Sequence, residues 1–326
     1  MSSWSRTHVP GRTSKTDKTP VIPYPPKKHL SHTVYSTPKV SDTVVILVFF
    51  NPAKSFRIIQ NLLYIKQLLD SASIPYFIGE LAGDKDSFVF PSGTPHIFQF
   101  RSGSHMFYKE NLINCVISRA PEYAKYVILD ADVIFDEPAW VDAISEALNT
   151  YSVLQPYQFV HQLNIRFQVE TTKASLCYTS HTLGFSGGHT GYVWAFRRDW
   201  WLKNGGLYMY ALIGGGDKCL AHQVGIEQEW IPKPYESDVG TRPTTVMTTY
   251  LPFTIWHLPH GSLLKRKYIE RATTLQDTMR SLGIERLRDA VEVNSDGVFE
   301  WKARYKPVMN TLMLNYFNAR EDDGWL

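Results

Sequence analysis

The sequence predicts an α/β protein built on a doubly wound sheet with helices on both faces. Two observations carry that prediction. Short β-branched apolar runs alternate with stretches of helical periodicity, and one run, residues 126–135, carries two acids spaced one apart. Strands alternating with helices imply parallel pairing, and strands covered on both faces read as continuous apolar runs. At 326 residues the chain can bury a full core in one large domain or two small ones.

Taken in order, residues 1–40 are rich in Ser, Thr, Pro and Lys and bury little, so a basic arm lying on the domain or on a partner is expected. The first strand is residues 44–50, ending at Asn51 and Pro52. Ser55 suits an N-cap, and Ile58, Leu62, Ile65 and Leu69 mark the apolar stripe of the helix behind it. Residues 74–81 and 96–100 read as the next strands, 109–119 as a helix, and 126–129 as the central strand. Pro138 suits the first turn of a helix running to Leu148, and 153–157 return to the sheet. The stretch 161–229 is glycine-rich and aromatic; within it 192–196 form a strand and 197–201 open a short helix that Gly205 and Gly206 break. Gly214, Gly215, Gly216 and Asp217 precede a helix over 218–224. A basic helix follows through Arg266, Tyr268 and Arg271, and residues 294–297 carry a hairpin signal. The expected organisation is an arm (1–40), a catalytic domain (41–262) and a C-terminal helical and hairpin extension (263–326).

Composition excludes several classes. With 44% hydrophobic and 20% charged residues the chain is ordinary for a globular protein, and a net charge of +3 is too small to argue for nucleic acid. Cys115, Cys177 and Cys219 are odd in number and far apart, against a disulfide scaffold or zinc site and for a reducing compartment. No stretch approaches the ~20 apolar residues of a membrane span and no signal-peptide pattern opens the chain. The expectation is a cytoplasmic protein, of a bacterium or of a virus inside its host cell.

Three signals carry chemistry. Buried carboxylates are costly unless paired or set on a cation. Asp130 and Asp132 at a strand's carboxyl end, where open α/β sheets bind ligands, therefore suggest oxygen ligands for a divalent ion. The plainer alternative has Asp132 capping a loop and Asp130 meeting an arginine. Three glycines before Asp217 let the backbone approach a ligand at a helix N-terminus, although Asp217 alone would also serve as an N-cap. His257 and His260 stand in a Pro- and Gly-punctuated loop, and neutral imidazole is a common metal ligand.

The order of these pieces resembles nucleotide-sugar-dependent glycosyltransferases of the GT-A fold, family-2-like members of bacteria, phages and viruses. The matching blocks are the first strand ending at Phe49-Phe50-Asn51-Pro52, the DAD at 130–132, TGYVWAFRRDWW from Thr190, GGGD at 214–217, WHLPHG at 256–261, and the RKY leading to Arg271. The resemblance implies a doubly wound mixed sheet with a Rossmann-like nucleotide-binding half. It also implies Asp132 as direct ligand of Mn2+ or Mg2+, Asp130 on ribose or metal-bound water, and His260 rather than His257 completing the metal site. Phe50 and Asn51 would hold the base of a UDP- or GDP-sugar, and Asp217 would be the base of an inverting transfer. Best-known acceptor motifs carry paired acids; here Gly216 precedes Asp217. Trp194, Trp200 and Trp201 suit either sugar packing or core.

Two other classes fit parts of the pattern. A haloacid-dehalogenase-like phosphotransferase also sets DxD after a buried strand, but on its first strand and followed two residues on by Thr or Val, whereas this is about the fourth and Ile134 holds that place. A non-catalytic sugar-binding module explains the aromatics but not three separated acid and histidine signals. The acceptor is open between a glycan and a modified DNA base. For the latter, basic residues of the arm (Arg6, Arg12, Lys15, Lys18, Lys27, Lys28, Lys39) and Lys265, Arg266 and Lys267 would supply phosphate contacts.

Overall fold

The computed structural model describes residues 33–185, 187–226, 235, 238–239, 246–261 and 263–324. The basic part of the expected arm, through residue 32, lies outside the described residues.

Strand β1 (Thr43–Phe50) shows how the core is divided. Successive strand side chains point to opposite faces, so Val44 and Ile46 join one apolar cluster while Val45, Leu47 and Phe49 join another. The neighbours follow suit: Tyr126, Ile128, Trp194 and Phe196 lie on the first face, Val127, Leu129, Val193 and Ala195 on the second. Helices cover both. Helix α1 (Phe56–Ser71) packs on the second face, and α2 (Lys109–Arg119) on the first. Ser55 caps α1 as expected, its Oγ accepting from Ile58 N. Asn51 closes the preceding turn, donating to Ser55 O (2.7 Å) and accepting from Ser55 N (2.9 Å).

Seven strands form the main sheet in the order β10-β6-β9-β4-β1-β2-β3. They are β1, β2 (Tyr76–Ala82), β3 (Ile97–Arg101), β4 (Lys125–Leu129), β6 (Val153–Gln155), β9 (Val193–Arg197) and β10 (Thr248–Tyr250). β4, β1, β2 and β3 run parallel, which the alternation of strands and helices predicts. β9 departs from it, antiparallel to both β4 and β6. The reason is local: β9 begins where β4 ends, with Asp130 N donating to Tyr192 O (2.9 Å) and Leu129 paired to Val193.

A second, four-stranded sheet has the order β5-β11-β7-β8, with β5 (Val133–Phe135), β7 (Phe159–Leu163), β8 (Val169–Ala174) and β11 (Thr254–His257). The apolar run of residues 126–135 is thus two strands in two sheets, joined through Asp130, Ala131 and Asp132.

Helix α3 (Trp140–Thr150) starts later than Pro138 suggests, with Ala139 as its N-cap. Pro138 instead offers its carbonyl to Ser36 N (2.9 Å), part of a strap over residues 35–40. Tyr35 accepts from Phe135 N, and Asp142 accepts from Lys39 N and Val40 N. Further helices are α4 (Arg198–Asn204), α5 (Gly216–Gln223), α6 (Tyr268–Ser281) and α7 (Lys306–Ala319). The hairpin signal is realised by β12 (Val291–Val293) and β13 (Phe299–Trp301). Leu275, Met279, Phe299, Trp301, Met309 and Phe317 of this C-terminal part share one apolar cluster with Ile46 and Phe100. Among the described residues no helix is long and apolar enough to cross a membrane.

Trp140 anchors the strap. It is fully buried, stacked on Phe135 at 4.5 Å and edge-on to Tyr35, and its Nε1 has no partner among the described residues. Trp140→Ala is expected to cost about 3–5 kcal/mol. Trp140→Phe keeps the stack and removes an unpaired N–H, so chemical denaturation should find it much closer to the parent.

Candidate active site

The loop between β4 and β5 sets Asp130 and Asp132 at the carboxyl ends of the parallel strands. Strand β11 runs antiparallel to β5 with His257 opposite Val133, one residue from Asp132, and Leu258 N donates to Asp132 O (2.8 Å). That register brings the histidines to the acid. Asp132 Oδ2 lies 2.9 Å from His260 Nε2 and 3.6 Å from His257 Nε2, and one ligand atom from each residue falls within 4.8 Å of the others.

The donor set fits a divalent cation on three observations. Asp132 Oδ1 is buried and has no hydrogen-bond partner among the described residues. His260 Nδ1 lies 3.3 Å from Asp322 Oδ1, the carboxylate support that metal-bound histidines commonly have. Arg266 Nη2 lies 3.0 Å from His260 Nε2, and since arginine only donates, that nitrogen carries no proton, which is the form a metal ligand needs. Burial alone would raise the Asp132 carboxyl, but the His257 and His260 imidazoles more than offset it and hold the group well below the usual range. Burial pushes His257 down, toward the neutral form that binds metal.

Beside this cluster stands a second one that the sequence left unmarked. Lys109, first residue of α2, reaches Asp130 Oδ1 (2.7 Å) and Asp217 Oδ1 (2.9 Å) at once. Asp217 is not the N-cap of α5; Gly215, at φ +90°, holds that place and Asp217 sits in the first turn. Gly216 has a spatial reason, since a Cβ there would fall 2.0 Å from Glu110 Oε1. A carboxylate from α2 thus lies where the neighbouring position of the GGGD block has none. Burial raises the Asp130 carboxyl to about 6 against the pull of Lys109, with Asp217 and Asp132 adding to the rise. Burial likewise lifts Glu110 to about 8, again against Lys109.

Glu110 yields a stability prediction with a definite sign. Its folded pKa of about 8 exceeds the ordinary 4.5, so the folded state holds the proton more tightly. The contribution is fully present below about pH 4.5 and is lost as pH rises through 8. Glu110→Gln, which mimics the protonated acid, is expected to flatten this loss, on the order of a few kcal/mol across the window. Urea unfolding at pH 5 and pH 8 checks it; equal pH slopes for variant and parent would show that this carboxyl does not titrate there.

All the sequence-nominated site residues line one open cleft: Phe50, Asn51, Asp130, Asp132, Asp217, His257 and His260. Phe50 sets its ring edge-on to Phe107, Tyr108 and Phe317. The Asn51 amide is taken up by Ser55, and its carbonyl accepts from Lys54 N (3.1 Å). Arg266, Arg271 and Arg320 also line the cleft, the Arg271 guanidinium lying over the rings of both Phe107 and Tyr316. Trp194, Trp200 and Trp201 are core residues, 2%, 5% and 6% exposed, so none packs a sugar. Sequence reasoning missed Lys109, Glu110 and Asp322, because a charged pair opening a helix and an acid near a chain end look like solvated surface.

No protein family and no curated sequence matches the chain. Among solved structures it is similar to the catalytic domain of Drosophila beta1,4-galactosyltransferase 7 in complex with xylobiose, at 12% identity over 65% of each chain with a TM-score of 0.34. The match thus spans just under two thirds of that chain. It is similar to S. aureus TarS at 9% identity, over 85% of this chain and 71% of that one, with a TM-score of 0.41. A third is the mannosyltransferase PcManGT from Pyrobaculum calidifontis in complex with GDP-Man and Mn2+, at 14% identity over 87% and 71%, TM-score 0.39. Likenesses this distant assign no chemistry.

Proposed function

We propose that the chain is a metal-dependent glycosyltransferase that moves a sugar from a UDP- or GDP-sugar to an acceptor hydroxyl with inversion. One juxtaposition supports the reading: the Asp132, His257 and His260 donor set and the Lys109-bridged pair of Asp130 and Asp217 face the same cleft. Asp132, His257 and His260 would hold Mn2+ or Mg2+, with Asp322 orienting His260 and Asp130 turned to ribose or to water. The chemistry supplied by a divalent ion bound there is neutralisation of the charge on the departing nucleoside diphosphate.

This chain's own residues do the rest. Phe50 and Asn51 also line an adjoining recess of about 720 Å³ between β1 and β2, which we assign to the base. Lys109 holds Asp217 Oδ1, and a Cβ on Gly191 would lie 2.9 Å from Oδ2, so that oxygen is turned toward the 189–191 loop. Asp217 takes the proton of the acceptor hydroxyl. The freed oxygen forms the new bond to the anomeric carbon as the bond to the diphosphate oxygen breaks on the opposite face. Residues 41–262 form the catalytic unit in this reading, and 263–326 close the cleft through Arg266, Arg271 and Asp322.

Manganese-dependent hydrolysis of a panel of UDP- and GDP-sugars without acceptor tests the class, and chelator should abolish it. Phosphate release from simple phosphomonoesters would point to phosphoryl transfer, and glycan binding without turnover to a sugar-binding module. The acceptor is a glycan or modified DNA base hydroxyl. Duplex-DNA affinity that falls steeply with salt, and less steeply for a chain starting at Ser41, selects the base.

A further inference from the structure

Tyr192 adopts φ +84°, a backbone conformation that a bulky residue rarely holds without cause. Several contacts fix it there. Its carbonyl accepts from Asp130 N, Gln162 Nε2 donates to its hydroxyl, and its ring lies between two imidazoles. The His257 ring is 5.1 Å away on the metal side, and the His189 ring is stacked on it at 4.2 Å and 19°.

His189 is the histidine that no step above uses. Its backbone is clamped: N donates to Ala174 O (2.8 Å), and O accepts from Leu176 N (3.0 Å) and from Gln155 Nε2 (2.9 Å). Its Nδ1 accepts from Gly191 N at 3.1 Å, so in the neutral ring the proton sits on Nε2. Burial, then Lys173, His257, Arg266 and Lys109, push this imidazole down to about 3, so neutral is its working state. The ring lines the cleft, and a Cβ on Gly191 would lie 3.2 Å from its Cε1 and 2.9 Å from Asp217 Oδ2. A fixed, uncharged donor thus lines the cleft beside the Gly191 and Asp217 position, with the Tyr192 ring between it and His257.

We propose that His189 is a substrate-contact residue whose Nε2–H donates to a hydroxyl of the transferred sugar, selecting a nucleotide sugar over the bare nucleotide. This rests on the glycosyltransferase reading. The ligand bridging a metal-bound diphosphate and the attacking hydroxyl is the transferred sugar, and its hydroxyls are the acceptors a lone N–H recognises. A clamped backbone and a stacked ring hold the donor ready, which is what selective hydroxyl recognition needs.

Two variants separate donation from packing. His189→Phe keeps the stack on Tyr192 and removes the N–H; His189→Gln gives up the stack and keeps an N–H. For whichever UDP- or GDP-sugar the parent hydrolyses with manganese, His189→Phe should lose roughly tenfold or more in kcat/KM while binding UDP or GDP as the parent does. His189→Gln should retain more activity than His189→Phe. Unchanged kcat/KM in His189→Phe, equal loss of UDP or GDP binding, or the reverse ranking of the variants would each overturn the proposal while leaving the enzyme class intact. A parent that turns over no nucleotide sugar would overturn the class itself, and this assignment with it.

Discussion

Asp132→Ala is expected to abolish manganese-dependent nucleotide binding and nucleotide-sugar hydrolysis while the chain stays folded. Asp132 faces both His257 and His260, and its Oδ1 is buried with no hydrogen-bond partner among the described residues. Replacing a carboxylate that merely supports a metal ligand typically costs 10–100-fold in metal affinity or activity. Losing the one acid of a three-residue donor set should therefore exceed ~100-fold, and Asp322→Ala, which frees His260 and Arg320 but removes no metal donor, should fall within the smaller range. His260→Ala should weaken metal dependence more than His257→Ala, since His260 alone of the two has a carboxylate behind it. Calorimetric titration with manganese and a nucleoside diphosphate reads all four variants. Parental affinity in Asp132→Ala, or full activity in excess chelator, would end the metal-site reading.

The parts of this site legible in the sequence share a physical reason. An aspartate after an apolar run is conspicuous because burying its charge needs compensation, so Asp130 and Asp132 mark themselves. His257 and His260 stand out by their Pro and Gly punctuation and by the resemblance of that block. The compensating partners are another matter. Lys109 meets Asp130 and Asp217 only because α2 packs its start against the carboxyl ends of β1 and β4, and nothing in the periodicity of residues 109–119 distinguishes it from a solvated lysine. Asp322 reaches His260 across 62 residues, after the whole C-terminal part has folded back on the first face of the sheet.

The fold divides the same way. Strands β1 to β4 and helices α1 and α2 follow from local pattern, and α2 has the bounds the sequence indicates. The direction of β9 does not, because whether a strand enters from the cleft end depends on where the preceding loop delivers it. Residues 126–135 read as one run because hydrophobicity reports burial and cannot say that Val133 changes sheets. The three tryptophans were chemically suited to sugars. Their place in the core follows from the packing of α4 on β9, where Phe196 stacks on Trp200.

Asp217→Asn is expected to lower the transfer rate by on the order of 10²–10⁴, the usual loss when one general base is removed. Asparagine keeps the size of the side chain and its place in the first turn of α5, so the helix should stand. It cannot take a proton, and the acceptor oxygen would have to attack as a neutral hydroxyl. Nucleotide binding should survive nearly unchanged, because Asp217 is not among the metal donor set and Lys109 keeps its pairing with Asp130. The effect should therefore appear in kcat, with little change in the affinity for donor. Lys109→Ala makes a useful contrast: it frees both acids, so donor binding and rate should fall together. The anomeric configuration of the product, read by NMR, supplies the independent arm. Transfer at the parental rate in Asp217→Asn, or a product that keeps the donor's configuration, would remove Asp217 from the role of inverting base and leave Glu110 of α2, whose carboxylate lies against Gly216, as the next carboxylate to test.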